Sequence, residues 1–162
     1  MANYYPPVAF SFSVNFAGNR SEIDSGFQEV SGLEAEREVS EVREGGENRF
    51  AHRLPGRIGY RNIALKRGIV LASSPLFQWC KDTMESDLAK RIQVKDLTVS
   101  LLDQNHAAVM SWSVLRAWPV KWSVDRFSAQ ENAVAVETIE LSFQRVERKQ
   151  DRQLAASGFL QP

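Results

Sequence analysis

The segment Gly59–Trp79, GYRNIALKRGIVLASSPLFQW, joins a strand-like apolar run directly to a helix. Apolar residues favour a β-strand over Tyr60–Val70, which carries LKRG near its end. The following Ser73-Ser74-Pro75 offers an N-cap hydroxyl and a first-turn proline, which together predict the start of a helix. Three- and four-residue apolar spacing continues this helix over Pro75–Leu88. No other part of the chain predicts a helix as clearly, so the rest must fold mainly as strands.

Five further segments have strand length and composition. They are Val8–Phe16, which alternates strictly, the strand-rich region Phe27–Glu44, and then Ile92–Leu102, Ala107–Trp118 and Val134–Val146. The polar residues 103–105 predict a hairpin turn between the third and fourth of these segments, and Pro119 predicts a turn before a short strand at Lys121. The predicted fold class is mainly β (α+β), a small antiparallel β-barrel or sandwich of about six strands with one flanking α-helix.

Two segments interrupt this pattern. Glu44–Gly56 contains three glycines, one proline and many charges, which predicts a long mobile loop. Lys149–Pro162 has no period that fixes its structure, and we expect it to be mobile or to dock on a neighbour. A chain of 162 residues fits one domain, so we assign 1–148 to the domain and 149–162 to a C-terminal tail.

Composition excludes several classes of protein. Lys and Arg number 20 and Asp and Glu number 20, so no overall field attracts nucleic acid or an anionic membrane. Cys80 is the only cysteine, which excludes an internal disulfide and any site with several cysteines. No apolar run reaches the roughly 20 residues that span a bilayer, and no signal peptide opens the chain. We expect synthesis in the cytoplasm and no insertion into a membrane.

The residues that carry chemistry form no recognisable catalytic pattern. His52 and His106 lie in predicted loops, and no metalloprotease, hydrolase, P-loop or dinucleotide motif occurs. Cys80 lies on the apolar stripe of the predicted helix, where a thiol usually packs as core. Glu34, Glu36 and Glu38 indicate a solvated strand face rather than a catalytic pair. We therefore predict no enzyme, no catalytic or metal-binding residue, and no cofactor.

Three segments together resemble the tail-tube proteins of contractile phages and of extracellular contractile injection systems. They are GYRNIALKRGIV at 59–70, SWSVLRAWPVKWSV at 111–124 and ENAVAVETIELSFQRVE at 131–147, and the resemblance spans Pro7–Arg148. It implies a β-barrel subunit with one helix, six copies of which close into a ring, with rings stacked into a hollow tube. A conduit of this kind implies contacts with a sheath protein, baseplate and spike proteins, a terminator cap and cargo in the lumen, in a virion tail or a released injection particle.

The resemblance also implies where subunits meet. Family members carry an extended hairpin and loop after the second strand that reaches the adjacent ring, and Val39–Gly56 matches its position. The candidate residues for contacts between subunits and rings are Glu41, Arg43, Glu44, Glu47, Arg49, Arg53, Arg67 and Gly68. Within LKRG, we expect the arginine to hold a carboxylate and the glycine to permit a bend.

Two alternatives stay open beside the main conduit. The chain could be a secreted hexameric ring of the type VI secretion kind that carries effectors, since that ring shares the fold. It could instead be a tube-initiating ring at the baseplate. The long charged segment and the AWPVKW and VETIEL matches favour the conduit.

Overall fold

The computed structural model describes residues 11–18, 23–69, 74–86, 90–125 and 135–149. This part of the chain contains nine strands and one helix, which confirms a mainly β fold with a single helix. Seven of the strands form one antiparallel sheet, close to the predicted count of about six, and the other two form a hairpin. In chain order the elements are β1 (Ser11–Phe16), β2 (Ile23–Ser31), β3 (Ala35–Val42), β4 (His52–Tyr60), β5 (Ile63–Gly68), α1 (Pro75–Glu85), β6 (Lys95–Leu102), β7 (Ala108–Val124), β8 (Val136–Ser142) and β9 (Arg145–Lys149).

Six strands are hydrogen-bonded in a cycle. Their order is β6-β1-β2-β5-β8-β7, and β7 pairs in turn with β6, every pairing being antiparallel. The 17-residue β7 makes the closure possible because Ala108–Ala117 pairs with β6 and Trp118–Val124 pairs with β8. β9 pairs with β7 as well. The predicted hairpin of β6 and β7 is confirmed, with Asp103 Oδ1 accepting backbone N–H bonds from Asn105 and Ala107 across its turn.

The core lies within this cycle of strands and beneath the helix. Alternate residues of each strand point inward, as the period-two pattern predicts. Ile63 and Leu65 of β5 are fully buried beside Leu141 and Ile139 of β8, their respective pairing partners. Phe27 of β2 is equally buried. The apolar faces of the strands therefore meet in one hydrophobic cluster.

The helix α1 begins where its capping residues predict. Ser74 is the N-cap and its hydroxyl accepts a hydrogen bond from the Phe77 N–H at 3.1 Å, while Pro75 occupies the first turn. Leu76, Trp79 and Cys80 on the inner face of α1 are buried. The predicted end at Leu88 lies outside the described residues, and the helix ends at Glu85. The part of the chain that the structure describes has no helix of the length and apolar character needed to cross a membrane.

The predicted turn at Pro119 is wrong. Pro119 lies inside the continuous strand β7, where the register with β8 shifts by a bulge between Pro119 and Lys121. A bulge accommodates proline because the ladder is already interrupted there. The unusual backbone is at Arg116, with φ of 53°, whose N–H donates to Asp96 Oδ1 at 2.8 Å. Arg116 lies just before the point at which the pairing partner of β7 changes from β6 to β8.

The segment predicted as one strand over Val134–Val146 forms two. β8 and β9 are separated by Phe143 and Gln144, and the Gln144 N–H donates to the Leu115 carbonyl at 3.0 Å. Lys149 belongs to β9, so the ordered strand extends one residue past the predicted domain boundary. The rest of the predicted tail lies outside the described residues, as do Val8, Ala9 and Phe10 of the first predicted strand.

Candidate assembly interface

A two-stranded hairpin, residues Ala35–Tyr60, extends from the cycle of strands and is called the arm below. Its strands β3 and β4 continue β2 and β5, because Ser31 pairs with Ala64 in the cycle and Ala35 pairs with Tyr60 just beyond it. The four strands thus form one long ribbon whose far half leaves the rest of the fold. At about 3.3 Å per residue, the eight residues of β3 span about 26 Å.

Gly32 makes the junction between the arm and the cycle possible. Its φ is +84°, a left-handed conformation that favours glycine. A Cβ at this position would also collide with the backbone carbonyl of Asn62, which lies between β4 and β5. Two backbones therefore cross closely at this glycine.

The arm is exposed on both faces. Every residue of β3 is exposed, and the apolar side chains Leu54 and Phe50 are 51% and 57% exposed. An isolated two-stranded hairpin is at best marginally stable in water, and exposed apolar side chains grouped together mark a surface that binds another molecule. The prediction of a mobile loop over Glu44–Gly56 is therefore partly wrong, because β4 begins at His52. His52 accordingly lies in a strand rather than a loop.

The base of the arm combines ion pairs with exposed apolar side chains. The Arg61 guanidinium lies 3.4 Å from the carboxylate of Glu34 and 3.9 Å from that of Glu36. Val39, which is 46% exposed, pairs across the strands with Pro55. Charged and apolar groups are therefore both available to a neighbour.

Six of the predicted interface residues lie on the outer half of the arm. Glu41 and Arg53 pair across the strands with their charged atoms 3.9 Å apart, and Glu44 lies 3.5 Å from the His52 imidazole. Hydrogen bonds from the Arg49 side chain and backbone lower the pKa of Glu47, and the same side-chain bond raises the pKa of Arg49. Arg43 is exposed and makes no ion pair within the described residues. These six are accessible to a neighbouring molecule.

The burial of Arg67 contradicts the prediction that this residue lies at a contact between subunits. It is 2% exposed, and its guanidinium donates to Glu137 Oε2 at 3.0 Å, to Asp24 Oδ1 at 2.9 Å and to Ser74 Oγ at 2.9 Å. It also lies 4.9 Å from the centre of the Phe27 ring. The arginine does hold carboxylates, as expected, but within its own subunit.

Gly68 is the last residue of β5 and pairs with Val136 of β8. It is half-buried, so it lies beside the buried arginine rather than on the arm. Residues 70–73 lie outside the described part of the chain, so the bend predicted at Gly68 stays a prediction.

The buried arginine belongs to a network that ties α1 to the strands. Asp24 Oδ2 accepts the Leu76 N–H at 2.8 Å in the first turn of α1, where the helix dipole favours a carboxylate. Glu137 Oε1 accepts the indole N–H of Trp122 at 2.7 Å. Each carboxylate therefore has the arginine and a second donor, as buried charges require.

Sequence reasoning missed Asp24 and Glu137, although the alternation of β8 contains a signal for the second. Glu137 lies two residues before Ile139 and four before Leu141, so it belongs to the buried face. Arg67 stands in the same relation to Ile63 and Leu65 in β5. Opposite charges on the inner faces of two strands could have been paired from the sequence.

Cys80 is a packed thiol, as predicted. It is 1% exposed, and burial, with a smaller contribution from the charge of Glu137, raises its pKa to about 12. A thiolate is therefore disfavoured in the folded chain. No group of three His, Cys, Asp or Glu side chains able to hold a metal ion occurs among the described residues.

Comparisons with known proteins agree with this architecture. A family model described as T4-like virus tail tube protein gp19 matches residues 8–147. A chain in the 6-fold symmetrised baseplate of the anti-feeding prophage is 30% identical, with a TM-score of 0.74, over 90% of this chain and 97% of that one. A chain in the extended sheath-tube complex of an extracellular contractile injection system, PVC, is 29% identical, with a TM-score of 0.74, over 93% and 95%. A type six secretion system protein shares the fold at 10% identity, with a TM-score of 0.54, over 86% and 83%. No curated protein matched.

Proposed function

We propose that six copies of this chain close into a ring and that the rings stack into a hollow tube, because the chain belongs to the T4-like virus tail tube protein family. The chain is a structural subunit of the inner tube of a contractile tail or injection machine. The tube is the conduit through which cargo or DNA passes. The tube-forming domain comprises 1–148, and 149–162 is a tail.

The arm carries this proposal. It extends about 26 Å from the fold and exposes both of its faces, so it needs a neighbour to cover its apolar side chains. A reach of this length suits a contact between rings. Its outer residues, Glu41, Arg43, Glu44, Glu47, Arg49 and Arg53, form part of that contact. Exposed charge pairs are individually weak, about 0–1 kcal/mol, but they fix the register of a contact that is repeated around every ring.

The partners follow from the complexes in which similar chains occur. Those chains belong to a baseplate, a tube-terminating cap and a sheath-tube complex. We expect this tube to bind a sheath along its outside, baseplate and spike proteins at one end and a terminator cap at the other. We also expect assembly from chains made in the cytoplasm, in a virion tail or a released particle.

Two other functions remain candidates. A secreted hexameric ring that carries effectors would share the fold, but the TM-score is 0.54 with the type six secretion protein and 0.74 with the sheath-tube chain. The greater likeness favours the conduit. A tube-initiating ring is supported by the similar chain in a baseplate.

Electron microscopy of the purified chain in negative stain tests the proposal. Stacked tubes are expected, and isolated soluble rings would favour the effector carrier instead. A variant in which an Asn-Gly turn replaces residues 42–52 should form rings that no longer stack, since that dipeptide closes a two-residue hairpin. A protein that stays monomeric at high concentration would contradict the ring, and tubes of normal length from the shortened variant would contradict the role of the arm.

A further inference from the structure

A cleft of about 640 Å³ lies between α1 and the segment that leads into β6. Its floor contains Phe16 and Trp79, whose rings meet edge to face with centroids 5.6 Å apart. The Lys95 ammonium lies 4.4 Å from the centre of the Phe16 ring, and the Trp79 indole donates to the Gln93 carbonyl at 3.0 Å. Both rings are largely buried, Phe16 being 8% and Trp79 4% exposed, so the floor presents a small part of their apolar surface to the cleft.

The rim of the cleft carries charges of both signs. Asp82 and Glu85 line it from α1, and Lys90 and Arg91 line it from the opposite side. Glu85, Lys90 and Arg91 make no ion pair within the described residues. Ile92, which is 37% exposed, adds an apolar side chain to the same wall. An apolar floor with an unpaired charged rim is the composition of a protein-binding site.

The cleft and the arm lie at opposite ends of the β2–β5 pair. The arm leaves where β2 ends at Ser31 and β5 begins at Ile63. The helix that forms the cleft is held at the other end, by Asp24 near the start of β2 and by Arg67 near the end of β5. Two complementary surfaces at opposite ends of one subunit give a head-to-tail contact, which builds an open stack rather than a closed pair.

The tip of the arm carries an exposed aromatic ring and an exposed cation. Phe50 is 57% exposed, and its ring meets the His52 imidazole edge to face with 5.3 Å between ring centroids. Arg43, which directly follows β3, is an exposed cation without an ion pair among the described residues. Aromatic side chains and arginine are enriched at protein–protein interfaces.

We infer that Phe50 of one copy enters the cleft of a copy in the adjacent ring, with Arg43 paired to Glu85 of that copy. This inference rests on the proposed stacking of rings and names the surface that receives the arm. Burial of Phe50 against the aromatic floor supplies the attraction. The charge pair sets the orientation, because the reverse placement would bring Arg43 to Lys90 and Arg91.

Cross-linking in tubes of the purified chain tests the contact. The pair Asn48→Cys and Ile92→Cys places one thiol at the arm tip and one on the cleft wall. The native Cys80 is buried and does not interfere. The matched control joins Asn48→Cys to Ile23→Cys, at a residue 57% exposed that does not line the cleft. On a denaturing gel run without reductant, oxidised tubes of the first variant should give a ladder of disulfide-linked chains. Oxidised tubes of the control variant should give no ladder.

Charge reversal provides an independent test. Arg43→Glu should raise the protein concentration needed for tubes about tenfold, which corresponds to about 1.4 kcal/mol, and adding Glu85→Arg should restore it. Tubes without a ladder and without rescue would overturn this inference and leave the proposed function intact. A wild-type chain that forms no tubes would overturn the proposed function. If Ile92→Cys stays reactive in bare tubes and is protected only in sheathed particles, the cleft binds the sheath and the inference is wrong.

Discussion

Replacing Arg67 by methionine should destabilise the folded subunit strongly. The substitution keeps an unbranched side chain of similar length but leaves Asp24 and Glu137, 7% and 6% exposed, without the cation that lies 2.9 Å and 3.0 Å from them. Removing one partner of a buried ion pair costs about 3–5 kcal/mol, because the remaining charge stays desolvated. Here two carboxylates lose the same partner, so we expect a cost at the upper end of this range.

Urea unfolding monitored by tryptophan fluorescence measures this cost, at concentrations low enough to keep the chain dissociated. With a slope of about 2 kcal/mol per molar urea, a cost of about 5 kcal/mol should lower the midpoint by about 2.5 M. The matched control is Lys66→Met on the same strand, whose ammonium lies 3.0 Å from Glu29 at an exposed site. Surface pairs contribute about 0–1 kcal/mol, so the control midpoint should move by less than 0.5 M in such urea curves, as a rough upper limit.

Equal effects of the two substitutions would refute the reasoning, since they would show that burial of the pair does not matter. A triple variant that combines Arg67→Met with Asp24→Asn and Glu137→Gln removes the stranded charges. It should recover part of the lost stability, because neutral buried amides cost less than buried carboxylates. A triple variant less stable than Arg67→Met alone would likewise contradict the electrostatic account.

Three further outcomes are expected. Gly32→Ala should lower the free energy of unfolding in urea by more than about 2 kcal/mol, and Gly26→Ala by only about 1–2 kcal/mol. Both glycines have φ of +84°, but only a Cβ at Gly32 would collide with a backbone carbonyl. Equal losses in the two variants would exclude the clash. Cys80 should resist thiol reagents at pH 8 until urea unfolds the chain, because its pKa rises from 9.0 to about 12 on folding. The stability that the buried thiol contributes is present below about pH 9 and is lost as the pH rises toward 12. The Cys80→Ala variant should not show this loss. Ser74→Ala should lower the unfolding free energy by about 1–2 kcal/mol or more, because it removes both the N-cap and an acceptor of the buried Arg67, and an unchanged midpoint would show that both hydrogen bonds are dispensable.

The local elements of this fold were accessible from the sequence. The helix start at Ser74 and Pro75 and the hairpin turn at Asp103 depend on contacts within a few residues, and the structure has both where they were predicted. Helix caps and short turns are determined by local backbone chemistry. The resemblance to the tail-tube family pointed to six charged residues that the structure leaves accessible on the arm, and their role in contacts between subunits stays a prediction.

The regular strand structure of the arm could not be predicted from local chemistry. Its glycines and proline suggested a loop, yet Pro55 lies within β4 opposite Val39. This strand exists because Ala35–Val42 pairs with it in the register that β2 and β5 establish farther down the ribbon. Such pairing is a long-range property, and no local propensity reports it.

The sequence by itself determined a mainly β chain with one capped helix, a packed Cys80 and an exposed charged segment, since each depends on nearest neighbours or on alternation. Only the tertiary structure decided the role of Arg67. Its position in LKRG, next to the exposed Lys66, suggested a surface cation, whereas alternation within β5 turns it inward. The fold brings Asp24, Ser74 and Glu137 to it from three separate elements, and a buried charge can persist only where such partners converge.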